Sequence, residues 1–325
     1  MCTAITYRTK DFYFGRTLDY DRNFGEEVTV TPRNFPLTFR EKGTLAHHYA
    51  IIGMACVSGN DPLYFDAVNE KGLCMAGLNF PGNAHYRKPV PGADNIASFE
   101  CIPWILCQCA SVEEARILLT RVNVTEEAYS DELTPTDLHW ILADRNQAVV
   151  IEPMKDGLKI YDNPVGILTN NPPFPQQLEI LNQYMHLSAE EPENRFSKRL
   201  DLKPDSRGMG AVGLPGDLSS RSRFVRGAFT KWNSLSGDTE GESVGQFFHI
   251  LETVSQTNGC CRLENGSCEK TMYNSCCNAD KGIYYYTTYE NRRITGISLL
   301  RENLDGNTLI RYPLVREEDI RMENP

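Results

Sequence analysis

Met1-Cys2-Thr3-Ala4-Ile5-Thr6 opens the chain, and its second residue decides the reading. A small residue at position 2 lets methionine aminopeptidase remove Met1, which leaves Cys2 at the N-terminus. A thiol titrating near ~8.5 and an α-amine near ~7.7–8.0 then share one residue, so a proton passes between them at modest cost near neutral pH. That residue can supply nucleophile and general base together. Position alone does not separate this reading from a chance cysteine, and the rest of the chain has to carry it.

The 325 residues are 41% hydrophobic and 23% charged, ordinary values for a globular chain with a sizeable core. With no clear linker and no internal repeat, the chain reads as a single domain over residues 1–325. No apolar run approaches the ~18–20 residues that span a bilayer, and the start lacks the features of a secretory signal, so the expected location is cytoplasmic. A net charge of −10 argues against nucleic acid or an anionic membrane surface as partner. Eleven cysteines cannot all pair within one chain, and reduced thiols are expected. Cys101, Cys107, Cys109, Cys260, Cys261, Cys268, Cys276 and Cys277 lack the doubled close pairs of a structural zinc site, so neither metal nor cofactor is expected. Cys56, Cys74, Cys101 and Cys107 have apolar neighbours and read as small core residues.

Short apolar or β-branched runs predict strands at residues 2–7, 12–16, 27–31, 49–57, 63–68 and 73–78. Several are too uniformly apolar to face water, which suits a sheet covered on both faces. Helices are expected over 96–109 and 115–122, the second opened by a capping box in which Ser111 is N-cap and Glu114 reaches back. Further strands are expected at 138–143, 148–152, 158–161 and 166–169, then helices at 176–185, 222–232 and 243–256. The glycines of 208–216 read as a loop, and strands close the chain at 282–288, 293–299 and 307–312. Runs of strands punctuated by helices predict a layered α+β fold with sheet inside and helices outside.

A thiol paired with its own amine needs cationic surroundings, a group that orients the amine, and donors aimed at an oxyanion. Arg16 and Asp19 lie on the return arm of a hairpin begun at Cys2. Alternation puts Arg16 and Leu18 on one face and Asp19 on the other, so a shared site requires that strand to end or bend near Leu18. Asn79 and Asn170 each end an apolar strand and offer neutral amide donors, although singly each also reads as a turn former. Arg223 taken alone reads as one face of a solvated helix.

Met1-Cys2-Thr3, Phe14-Gly15-Arg16 with Asp19, Asn69-Glu70-Lys71-Gly72-Leu73, Ala76-Gly77-Leu78-Asn79-Phe80, Leu168-Thr169-Asn170, Gly213-Leu214-Pro215-Gly216-Asp217, Ser222-Arg223-Phe224 and Gly282-Ile283-Tyr284-Tyr285-Tyr286 form an ordered series. In that order they resemble the choloylglycine hydrolase family, which comprises bile salt hydrolases and penicillin V acylases. The resemblance extends to residues 303–307. It implies the N-terminal nucleophile hydrolase fold, a four-layer αββα sandwich with two antiparallel sheets between helix layers, often assembled as a homotetramer. By motif, Cys2 is nucleophile and its amine the base, Arg16 favours thiolate, and Asp19 holds the amine. Asn79 through its backbone N–H and Asn170 through its side chain form the oxyanion hole, and Arg223 adds positive charge. Asn171, Arg221 and Arg226 are close neighbours that compete for these assignments.

In that family asparagine at the position of Asn79 is typical of bile salt hydrolases, and tyrosine of penicillin V acylases. The implied substrate is a bile acid amide of glycine or taurine. Leu18, Tyr20, Phe24, Tyr129, Leu133 and Leu138 occupy positions that resemble the family's cleft walls, with ordinary core as the alternative for each. The rival expectations are an amidase for penicillin V or another N-acyl substrate, a non-catalytic steroid binder, and a cysteine-rich redox or metal protein.

Overall fold

The computed structural model describes every residue except Glu132 and Pro325. Among the described residues, two antiparallel sheets dominate. The first has seven strands, in the order Ile167–Leu168, Cys2–Arg8, Phe12–Tyr20, Cys268–Asn278, Ile283–Thr288 and Thr295–Ser298, with Cys261–Arg262 pairing beside Cys268–Asn278. The second has eight, in the order Gly157–Asp162, Ala148–Met154, Leu138–Ala143, Cys74–Asn79, Asp61–Asn69, Ile51–Ser58, Glu26–Thr31 and Ile310–Pro313. Helices Ser220–Asn233 and Glu240–Glu252 pack on the first sheet, and Cys101–Leu106 on the second. The α+β sandwich expected from the sequence is therefore present, with one apolar cluster that fills the space between the sheets and continues under Ser220–Asn233 and Glu240–Glu252, and a second beneath Cys101–Leu106 and Val112–Leu119.

Strand register places the side chains. The first hairpin pairs Cys2 with Leu18, Ala4 with Arg16 and Arg8 with Phe12. Directly opposed residues share a face, so Cys2, Ala4, Arg16 and Leu18 look toward the second sheet. Thr3, Ile5, Thr17 and Asp19 look toward helix Ser220–Asn233, which meets Ile5 through Gly227. Asn69 accounts for one motif: its Oδ1 accepts from the Lys71 and Leu73 N–H groups while its Nδ2 donates to the Leu106 and Cys109 carbonyls, clamping a turn to a helix end.

Three expectations need correction. Residues 96 and 97 belong to strand Asp94–Ala97, parallel to Val122–Thr125, and the helix begins only at Cys101. The Glu100 carboxylate takes the Ala97 and Arg40 N–H groups, which fixes a tight turn where periodicity alone reads an unbroken helix. The next helix runs Val112–Leu119, and although Ser111 caps Glu114 N, the Glu114 carboxylate reaches Ala110 N, one residue earlier than a capping box requires. The eleven-residue strand Cys268–Asn278, at the centre of the first sheet, was not expected at all. Its Cys-Glu-Lys-Thr-Met-Tyr-Asn-Ser-Cys-Cys-Asn sequence shows no apolar alternation, because its inner polar side chains are answered by partners distant in sequence.

Gly15 is set by close approach. A Cβ there would lie 1.9 Å from the Ser275 carbonyl oxygen and 2.9 Å from the Cys276 Cα, both backbone atoms of the neighbouring strand. Gly15→Ala forces that pair apart at the heart of the sheet and is expected to cost about 3 kcal/mol or more. The urea midpoint measures it, and a variant that unfolds at the parent midpoint contradicts the close approach.

Candidate active site

The Cys2 side chain is buried on the inner face of the first sheet, 4% exposed, with Arg16 on the same face one cross-strand pair away. Arg16 reaches across to the second sheet, where Nη1 donates to the carbonyls of Phe65 (3.1 Å) and Gly77 (2.5 Å). Phe65 is the extra residue of a β-bulge, since Met54 pairs with Asp66 but Ala55 pairs with Tyr64. Such a bulge breaks the ladder locally and frees a carbonyl. Nη2 of Arg16 is buried with no partner among the described residues. Burial works against the Arg16 charge, but the Cys2 thiol, Tyr273, Asp66 and Asp19 outweigh it and hold the guanidinium above its ordinary value.

On the outer face, Arg223 is fully buried against the start of the chain. Ser219 caps the helix that carries it. Its Nη1 donates to the Cys2 carbonyl (2.5 Å) and Thr3 Oγ1 (2.6 Å), Nη2 to Asn170 Oδ1 (2.7 Å), and Nε to the Leu218 carbonyl (3.0 Å). Burial draws the Arg223 value down, opposed by Asp19 and Cys2.

Asn170 joins these groups. Its Oδ1 accepts from the Cys2 backbone N–H (3.0 Å) and from Arg223, which fixes the orientation of the amide because both neighbours only donate. Its Nδ2 then faces the Asn79 carbonyl at 2.7 Å and keeps one hydrogen free of that bond. The Phe80 N–H bonds the Asp137 carbonyl, so Asn79 and Leu138 are a non-hydrogen-bonded pair and the Asn79 N–H turns away from Leu138, toward the side where Asn170 sits. Two N–H donors therefore come together beside Cys2.

Asp19 is fully buried, and its carboxylate accepts from Thr271 Oγ1 (2.6 Å), Thr17 Oγ1 (3.1 Å) and Gln256 Nε2 (3.4 Å). Strand Phe12–Tyr20 does not end at Leu18 but runs on to Tyr20. The irregularity lies in the partner strand, between Thr271 and Tyr273. Alternation holds: the Asp19 carboxylate is bonded on the outer face to Thr271, Thr17 and Gln256, and the partner of the Cys2 nitrogen is Asn170. Met1 extends the ladder by one residue: Asp19 N donates to its carbonyl (2.9 Å), while its ammonium donates to the Asp19 carbonyl (2.6 Å) and Glu269 Oε1 (3.1 Å). With Met1 present the Cys2 nitrogen is a peptide nitrogen.

The competing neighbours lie elsewhere. Asn171 bonds the Pro81 carbonyl and Asn83, Arg226 bonds the Thr253, Pro215 and Asp217 carbonyls, and Arg221 is exposed. Leu18 packs beside Cys2 in the inter-sheet core, and the Tyr20 and Phe24 rings meet at 4.7 Å, tilted by 57°, with Phe65 5.8 Å beyond Phe24. Tyr129 is tied through its hydroxyl to the Ser58 carbonyl and Asp61, and Leu133 is 39% exposed. Leu138 lies opposite Asn79 but packs with the second core, near Gly77 and Trp140.

Several residues that hold this arrangement escaped sequence reasoning. Gln177 donates to the Asn170 (2.5 Å) and Pro172 carbonyls and accepts from Thr169, wrapping the turn that presents Asn170. Ser220 accepts from the Asn170 N–H. Buried His139 bridges Glu152 and the Thr169 carbonyl and stacks on Phe80 at 4.2 Å, which ties the Asn79 and Asn170 segments together. No local pattern marks these residues, because each partner is distant in sequence or reached only through a turn.

A family model described as linear amide C–N hydrolases, choloylglycine hydrolase family, matches residues 2–312. The chain is 54% identical to the bile salt hydrolase/transferase of Lactiplantibacillus plantarum over 317 residues, covering 98% of each chain. A crystallised variant of the conjugated bile acid hydrolase from Clostridium perfringens superposes with a TM-score of 0.92 at 35% identity, covering 99% of this chain and all of that one. The penicillin V acylase from Agrobacterium tumefaciens shares the fold, with a TM-score of 0.77 at 18% identity, covering 97% of this chain and 92% of that one.

Arg223→Lys tests how the outer face is held. One ammonium cannot reproduce a fork that reaches Cys2, Thr3, Asn170 and Leu218, so the buried acceptors lose partners at an expected cost of about 2–4 kcal/mol. Calorimetry on the variant should show a clearly lowered Tm, and an unchanged Tm removes Arg223 as the tie.

Proposed function

Because the chain belongs to the choloylglycine hydrolase family of linear amide C–N hydrolases, we propose that it cleaves the amide joining a bile acid to glycine or taurine, with Cys2 as nucleophile. The observation that carries this reading is the convergence of Asn170 on the Cys2 nitrogen, the Asn79 carbonyl and Arg223. Removal of Met1 turns that nitrogen into an amine that keeps Asn170 Oδ1 as acceptor. The amine takes the thiol proton, and the thiolate, facing Arg16, attacks the amide carbonyl. The oxyanion is received by the Asn79 N–H and the remaining Nδ2 hydrogen of Asn170. The ammonium then gives its proton to the departing glycine or taurine nitrogen, and water, activated by the same amine, hydrolyses the thioester.

Asp19 and Arg223 balance charge on the outer side of that amine. Leu18, Tyr20 and Phe24, extended by Phe65, supply an apolar wall for the steroid, with Tyr129, Leu133 and Leu138 farther along the cleft. Asn79, rather than tyrosine, supports conjugated bile salts over penicillin V as the preferred substrate.

Residues 1–325 form one domain in this reading, supported by a first sheet that pairs strands from both ends of the chain. A homotetramer is supported by large apolar side chains left in water, including Trp232 at 65% and Leu235 at 90% exposure. Among the described residues, no helix is long and apolar enough to cross a membrane. A cytoplasmic location is supported by eleven unpaired cysteines.

Glycocholate, taurocholate and penicillin V assayed side by side, with ninhydrin detection of released glycine and taurine, test the substrate. Faster turnover of penicillin V than of both bile salts overturns it. Asn170→Ala should lose about 10²–10³ in kcat, the usual cost of one oxyanion donor, and unchanged turnover contradicts its role. Cys2→Ser should lose more. Protein shown by mass spectrometry to retain Met1 should release no amino acid, and full activity in that form excludes the amine as base.

A further inference from the structure

Asp66 is a buried carboxylate outside the reaction above. It is 1% exposed and lies in strand Asp61–Asn69, between Met54 and Ala76 of the neighbouring strands. Its side chain crosses to the first sheet, where Oδ1 accepts from the Tyr273 hydroxyl (2.7 Å) and Oδ2 from the Tyr284 hydroxyl (2.6 Å) and Ser275 Oγ (3.0 Å). Ser275 Oγ in turn accepts from the Arg16 N–H at 3.2 Å. Arg16 crosses the same interface the other way, to the carbonyl of Phe65, the residue before Asp66. Two opposite charges pass each other between the sheets, and among the described residues no ion pair joins them. Burial raises the Asp66 carboxyl above its ordinary value and acts more strongly than Arg16 and the three hydroxyl groups, which favour the anion.

We propose that Asp66 is a positioning residue: its charge balances Arg16 and so sets the pH at which Cys2 becomes a thiolate. This rests on Cys2 being the nucleophile. With Asp66 charged, part of the Arg16 field is spent on the carboxylate, and without it that field falls on the thiol alone. The other charged and titratable groups around the pair are Tyr273, Tyr284, Cys74, Cys277 and Glu26 near Asp66, and Asp19, Arg223, Glu269 and the α-amine of Cys2 itself near the thiol. All of them stay in place in the test.

Alkylation of Cys2 by iodoacetamide, followed on the N-terminal peptide by mass spectrometry in Met1-free protein, reads the thiolate directly. In Asp66→Asn the midpoint should fall by about one pH unit, a roughly tenfold gain in thiolate on the acid side. A midpoint within about 0.2 unit of the parent overturns the proposal, whatever happens to stability. If that variant does not fold, Arg16→Gln is compared with the Arg16→Gln/Asp66→Asn double variant. The double variant should react at the lower pH, and equal midpoints again overturn the proposal. Since alkylation needs no substrate, failure to cleave bile salts refutes the functional reading while leaving this test in force.

Discussion

Everything in the site is referred to one constraint, the locking of the first residues into the interior of a sheet. Chain ends ordinarily fray, yet strand Cys2–Arg8 lies between Ile167–Leu168 and Phe12–Tyr20 and is bonded on both sides. The nucleophile we propose gains its precision from this. Its thiol faces one side of the sheet, its nitrogen lies in the sheet plane, and groups from both faces can address the same residue. Arg16 shares its inner face, Arg223 and Asp19 lie on the outer side, and Asn170 meets the nitrogen itself.

The cations are held in an unusual way for buried charges. Arg16 and Arg223 are almost wholly out of water, and an isolated charge there would be strongly destabilising. The hydrogen-bond acceptors around Arg16 are backbone carbonyls, those of Thr17, Phe65 and Gly77. Around Arg223 they are two carbonyls, a hydroxyl and an amide oxygen. Apart from the unpartnered Arg16 Nη2, neutral acceptors take the side-chain nitrogens named here and leave the net positive charge in place, where a carboxylate in direct contact would cancel it. The anions follow the same logic, since Asp19 and Asp66 are held by hydroxyl and amide donors.

How much of this could be read from the sequence depends on where each partner lies. The first hairpin was legible because its apolar runs and its turn are local, and the ends of apolar strands pointed to Asn79 and Asn170. Arg223 was legible only through the ordered motifs, since a buried arginine on a helix looks like a solvated one until its acceptors are known. Strand Cys268–Asn278 was missed because its polar residues answer to Asp19 and Asp66, more than 200 positions away. The carbonyl that Phe65 offers to Arg16 depends on a bulge, which is a mismatch between two strands and so a property of neither alone.

The pinned start of the chain also bears on how the protein can be handled. An affinity tag or a fusion partner placed ahead of Cys2 would have to thread between Asp19 and Glu269, where Met1 already fills the ladder. The opposite end has no such burden, because residues 317–324 lie exposed on the surface. Purification handles, surface immobilisation and genetic fusions therefore belong at the carboxyl end.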